Sequence, residues 1–127
     1  MREMLREVQR GKGFRTAVPE VWRPRVNLYE TQECFFVCVE LAGMPRERID
    51  VHAEPGLLVV RGHREKPSQV ECPVGRGETS DVGVHLMEID SGDFERRVSL
   101  PTSVAVEHID ATYKDGYLWI TLPRKGS

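Results

Sequence analysis

The stretch "IDATYKDGYLWITLP", Ile109 to Pro123, decides the fold. Leu118, Ile120 and Leu122 recur at every second residue, the period of a strand that turns one face to a core. Ahead of them, Asp115–Gly116 is the kind of dipeptide that accepts the left-handed backbone of a two-residue hairpin turn. An antiparallel hairpin is therefore predicted at the end of the chain.

The same period recurs on working backward. "CFFVCVEL" (Cys34–Leu41) sets Phe35, Val37, Val39 and Leu41 on one face, and "VNLYET" (Val26–Thr31) alternates around Val26 and Leu28. "RIDVHAE" (Arg48–Glu54) and "LLVVRGH" (Leu57–His63) flank the turn pair Pro55–Gly56 and read as a second hairpin. "VHLMEID" (Val84–Asp90) and "DFERRVSLP" (Asp93–Pro101) continue the series across a Ser91–Gly92 turn. About seven or eight short strands with frequent turn signals predict an all-β sandwich of immunoglobulin-like type.

Two segments stand outside this pattern. Residues 1–24 form an N-terminal arm, in which Met1, Met4, Leu5 and Val8 have helical spacing before "AVPEVWRPR" (Ala17–Arg25), with Pro19 and Pro24, reads as extended. Residues 64–83 carry prolines and glycines but few large apolar side chains, and a loop of roughly 20 residues inside a compact domain calls for a function. The domain itself is placed at 25–123, followed by a short tail at 124–127.

One residue conflicts with its strand. In "DFERRVSLP", Phe94, Arg96, Val98 and Leu100 share a face, whereas Glu95, Arg97 and Ser99 form an ordinary solvated set. Arg96 is thus aimed at the core with three apolar neighbours, and a buried guanidinium left unpaired would cost several kcal/mol. Its five donors suit backbone carbonyls and a carboxylate; the candidates are carbonyls of the Ala42–Gly43 turn or the carboxylate of Glu88.

Composition removes several functions. The net charge is −2, with both signs mixed along 127 residues, which lacks the basic surplus of nucleic-acid or anionic-membrane binders. No apolar run reaches the roughly 18 residues of a membrane span, and "MREMLREVQR" has no apolar signal-peptide core. Cys34, Cys38 and Cys72 form no disulfide framework, since the first two would stand roughly 13 Å apart along a strand. A reducing cytoplasm is the expected compartment. His52, His63, His85 and His108 have no zinc-binding spacing. No nucleotide-binding phosphate loop occurs, and a Cys72–His85 pair lies in no nucleophile motif. The expectation is a non-enzyme with no cofactor, no metal and no catalytic residues.

Three ordered stretches resemble one family. "ATYKDGYL" (Ala111–Leu118) is similar to the A-x-x-x-n-G-V-L motif of the small heat-shock proteins, whose α-crystallin domain it matches at Ala111, Gly116 and Leu118. The F-x-R-x-F-x-L-P pattern is matched by Phe94, Arg96, Leu100 and Pro101, and the family's opening strands by Val26–Val51. Asp115, Tyr117 and Val98 depart from the usual residues.

The resemblance implies an ATP-independent chaperone, a holdase that binds partly unfolded proteins and keeps them from aggregating. The alternative is an adaptor, a co-chaperone that grips one folded partner. It implies that Arg96 supports the fold and the dimer. It also implies that a strand in the long loop, placed here at Gln69, Val70 and Glu71, crosses to the partner's Val26, Leu28 and Tyr29. A peptide-docking groove is expected between the "IDVHA" and "VSLP" strands, at Val51, Ala53, Val98 and Leu100. Met4, Leu5, Val8, Phe14 and Trp22 are the candidate client contacts of the arm. Because the sequence ends in "RKGS" without the family's I-x-I tail motif, a homodimer or small homo-oligomer is expected rather than a large assembly.

Overall fold

The computed structural model describes residues 3–4, 8–10, 22–67 and 83–126. Among these residues nine strands build two facing sheets. They are β1 (Glu3–Met4), β2 (Gln9–Arg10), β3 (Val26–Glu30), β4 (Cys34–Glu40), β5 (Ile49–Glu54), β6 (Leu57–Arg64), β7 (Gly92–Ser99), β8 (Asp110–Lys114) and β9 (Tyr117–Pro123). The first sheet has the order β1-β8-β9-β4-β3 and the second β2-β5-β6-β7. All pairings are antiparallel except β2 with β5.

The alternation predicted from sequence is what fills the space between the sheets. Val37, Val39, Leu118, Ile120 and Leu122 from the first sheet meet Val51, Ala53, Leu58, Val60 and Phe94 from the second, all essentially inaccessible to solvent. Register follows from this, because a one-residue slip would turn every one of these side chains to water. The β8–β9 turn behaves as its sequence requires, with φ of 53° at Asp115 and 84° at Gly116.

Gly62 is required by packing instead of conformation. It sits opposite Phe94 across the β6–β7 ladder. A methyl group there would lie 2.7 Å from the Arg48 carbonyl oxygen and 2.9 Å from the Phe94 ring.

The N-terminus and one outer face depart from the expectation. Where the arm was expected to begin as a helix, Glu3–Met4 lies along β8 and Gln9–Arg10 along β5. A helix so short is marginal in water, whereas an open sheet edge offers backbone partners directly. Glu95, read from sequence as solvated, is buried: Arg61, its cross-strand partner, donates Nε and Nη2 to Glu95 Oε1 at 3.1 and 2.9 Å. The "VHLMEID" stretch, expected as a strand, joins neither sheet.

Gly62→Ala is expected to lower stability by about 1–3 kcal/mol, the usual range for forcing extra volume into a packed core. A urea midpoint unchanged from wild type would contradict the close fit of Phe94 over Gly62.

Candidate functional site

A binding surface on a β-sandwich is made from what its edges and faces leave exposed. At the β7 edge, Arg96 stands on the inner face opposite the buried Val60. Its Nη1 donates to the carbonyl oxygen of Pro24 at 2.5 Å. The arm itself supplies this carbonyl, an acceptor that the sequence reading did not consider. Two residues earlier, Trp22 is buried edge-on against Phe94, with ring centroids 5.3 Å apart. Its indole N–H donates to the Gly92 carbonyl at 2.8 Å, and its amide donates to the Asp93 carbonyl at 3.3 Å.

The Ala42 carbonyl has a different arginine. Arg64 donates Nη1 to Ala42 at 3.1 Å and Nε to the Asp90 carbonyl at 3.0 Å, while its guanidinium lies 4.1 Å from the centre of the Trp22 ring. Arg64 therefore ties both ends of the long loop, the 41–43 turn and the arm to one point. Nothing in its own strand pattern marks it, since it falls at the end of β6 where alternation fades.

Beside the same turn, the Tyr113 hydroxyl donates to the Leu41 carbonyl at 2.6 Å. Burial pushes the Tyr113 pKa up from its ordinary 10.0, against smaller opposite pulls from the Met44 amide and Arg64. Burial also raises the Cys38 thiol, helped by Glu40. Both Cys34 and Cys38 are free thiols.

The residues expected to bind peptide are placed otherwise. β6 lies between β5 and β7 and pairs with both, so the "IDVHA" and "VSLP" strands are not neighbours. Val51, Ala53 and Leu100 are core residues and Val98 packs partly against that core. Of the expected arm contacts, Trp22 is also core, Val8 packs partly against it, and Met4 lies in β1. Leu5 and Phe14 lie outside the described residues, as do Gln69, Val70 and Glu71.

Among the described residues, two groups of exposed apolar side chains stand out. β3 is the outer strand of its sheet, with Val26 turned partly inward and Leu28 and Tyr29 half exposed. Tyr29 stacks on Trp119 across the strands, with centroids 6.0 Å apart. The second place is the stretch expected as a strand, where Val84, Leu86, Met87 and Ile89 are 60–77% exposed. Leu86, Met87 and Ile89 line an open pocket of about 400 Å³ with Lys66 and Pro67. Among the described residues, no group of three or more His, Cys, Asp or Glu side chains is placed to hold a metal ion. No described helix is long and apolar enough to cross a membrane.

Two mainly antiparallel sheets with a long excursion between β6 and β7 define the class as α-crystallin-type sandwiches. Residues 27–127 match the Hsp20/alpha crystallin family, and the chain belongs to it. Small heat shock protein C4 of Rickettsia felis is 31% identical over 106 residues, covering 84% of this chain and 60% of that protein. The chain thus spans about 60% of the length of that relative. Among solved structures, a small heat-shock protein from Xylella fastidiosa, described as having a distinct high order structure, superposes with a TM-score of 0.69 at 28% identity. That match covers 84% of this chain and 90% of the other. The hspA protein from Xanthomonas axonopodis gives 0.69 at 30% identity, covering 84% and 97%.

Arg96→Ala is expected to cost about 1.5–3 kcal/mol, the range for a hydrogen bond made by a charged group. An unchanged melting temperature would mean that the Pro24 contact carries no weight. Tyr113→Phe should cost about 1 kcal/mol near neutral pH. Because the folded pKa is raised, that contribution is fully present below the ordinary tyrosine value and is lost as pH rises through the folded one. Urea titrations of both proteins at pH 8 and about pH 11 should therefore show the gap between them closing at the higher pH; a constant gap would rule out the buried hydroxyl as its source.

Proposed function

We propose that this protein is an ATP-independent holdase that binds partly unfolded chains in the cytoplasm and keeps them from aggregating, and that its working unit is a homodimer. The observation that carries the reading is the exposed apolar run Val84, Leu86, Met87 and Ile89 on a domain that has an outer strand, β3, with Leu28 and Tyr29 also exposed. Contiguous apolar surface of this kind marks interaction sites. An extended segment and an open sheet edge suit strand addition, in which backbone bonds give affinity and alternate side chains fill pockets.

In this reading residues 84–89 of one protomer lie along β3 of its partner, a place the sequence reading gave to Gln69–Glu71. Arg64 supports the exchange by fixing the loop's return at Asp90. When the contact opens, both apolar surfaces become available to the apolar segments of an unfolding client. Membership of the family supports the chaperone role, and the free thiols of Cys34 and Cys38 suit a reducing compartment.

Light scattering from a heat-unfolded client, without nucleotide, is expected to fall as this protein is added and to be suppressed near stoichiometric amounts. No suppression at several-fold excess would overturn the holdase reading and favour the adaptor. For the dimer, Leu86→Asp combined with Ile89→Asp is expected to shift the sedimentation-equilibrium mass to that of a monomer without loss of the far-UV β signal. An unchanged mass would remove residues 84–89 from the interface.

A further inference from the structure

One guanidinium joins two segments that lie far apart in sequence. Trp22 is seated on the β7 edge by its indole N–H on the Gly92 carbonyl at 2.8 Å, its amide on the Asp93 carbonyl at 3.3 Å, and its ring edge-on to Phe94. Arg64 covers that ring, 4.1 Å from its centre. The same guanidinium holds the Asp90 carbonyl with Nε and Nη2, at 3.0 and 2.6 Å, and the Ala42 carbonyl with Nη1 at 3.1 Å. Residues 83–90 are exposed along their whole length, so packing does little to place them. From there the chain enters β7 through Gly92, whose φ of 103° lies in the left-handed region open to glycine. Gly92 also faces Arg64 across the β6–β7 pairing. The residue that sets the direction of the segment is thus held by the indole of Trp22, and the residue that ends it by Arg64.

We propose that Trp22, Arg64 and Gly92 form one two-position coupling element, which ties the placement of the apolar segment Val84–Ile89 to the seating of Trp22 on the β7 edge. Seated, Trp22 gives Arg64 an aromatic face and fixes the Gly92 carbonyl, while Arg64 in turn holds Asp90. Unseating removes both supports at once. The guanidinium loses the ring it lies on, and Gly92, with the freest of backbones, can redirect the segment before it. These contacts share partners, so they do not fail independently. By linkage, whatever fixes Val84–Ile89 tightens the Trp22 seat by the same factor, and whatever lifts Trp22 loosens the segment. Release also uncovers Phe94, which has no exposed surface while the indole is seated. Every contact involved lies within one chain, so the coupling goes beyond the holdase reading and holds whether or not residues 84–89 meet a second copy.

Two readouts on the full chain test it, one at each end. With Trp119→Phe, Trp22 is the sole tryptophan, and acrylamide quenching of its fluorescence reports the seat. Nitrogen relaxation of the amides of residues 84–91 reports the order of the segment. Arg64→Lys keeps the charge but loses the fork that reaches Ala42 and Asp90 together. It is expected to raise quenching of Trp22 at least about two-fold and to lower the order parameters of residues 84–91 from roughly 0.85 to below about 0.6. Trp22→Phe keeps an apolar ring without the indole donor, and is expected to lower the same order parameters while β4 and β9 stay unchanged. Ile120→Val, a core change away from the seat, is expected to lower the melting temperature and leave both readouts at their wild-type values. The same responses are expected in the Leu86→Asp, Ile89→Asp background, which separates the coupling from the proposed dimer. Arg64→Lys that frees residues 84–91 without changing Trp22 quenching would overturn the proposal, leaving Arg64 as a loop anchor alone. It would also fall if Trp22→Phe left the segment as ordered as before, or if the segment were already mobile in wild type. A response to Ile120→Val as large as that to Arg64→Lys, or one confined to self-associating protein, would count against it equally.

Discussion

A sandwich of two open sheets has four edge strands, and an edge left bare recruits any extended chain that meets it. How each edge is closed is the constraint on which the rest of this structure depends. Glu3–Met4 covers β8 and Gln9–Arg10 covers β5. Trp22 and Pro24 lie against β7, held by the Gly92 and Asp93 carbonyls and by Arg96. The N-terminal part of the chain thus attends to three edges. The fourth, β3, has no strand on its outer side among the described residues.

The arginine that conflicts with its strand is explained by this arrangement. Arg96 is in phase with core residues because its strand ends the sheet, and an inward guanidinium there can reach past the edge to a carbonyl on another segment. A lysine would bring one compact charge on a flexible stem; the planar fork of arginine holds several directions at once. Arg64 does a related job at the other end of the same ladder, joining Trp22, Ala42 and Asp90. Two arginines therefore fasten the arm, the 41–43 turn and the loop root to a single edge, with the Trp22 ring between Arg64 and Phe94.

Most of the core was legible because alternation is a local property. Phe35, Val37, Val39, Leu118, Ile120 and Leu122 face inward as their spacing predicts. What alternation cannot report is which strand lies beside which. β6 separates β5 from β7, so Val51, Ala53 and Leu100 pack in one core with Val98 partly buried against it. The same blindness hid Glu95, whose burial depends on meeting Arg61 across the ladder. Helical spacing in residues 1–10 was a weaker guide than the two open edges nearby, since tertiary pairing outweighs the propensity of a short isolated helix. The exposed run at Val84–Ile89 has a legible strand pattern but no partner strand among the described residues, and that mismatch is the best sequence-level pointer to self-association.

Three edges are closed within the chain, and the proposed dimer would close the fourth. Edge-resolved amide exchange of the wild-type protein over a wide range of protein concentration tests it most directly. Protection in β3 is expected to rise with concentration, while protection in β5, β7 and β8 stays the same throughout. Protection of β3 at every dilution, or protection of β5, β7 and β8 that appears only when the protein is concentrated, would contradict it.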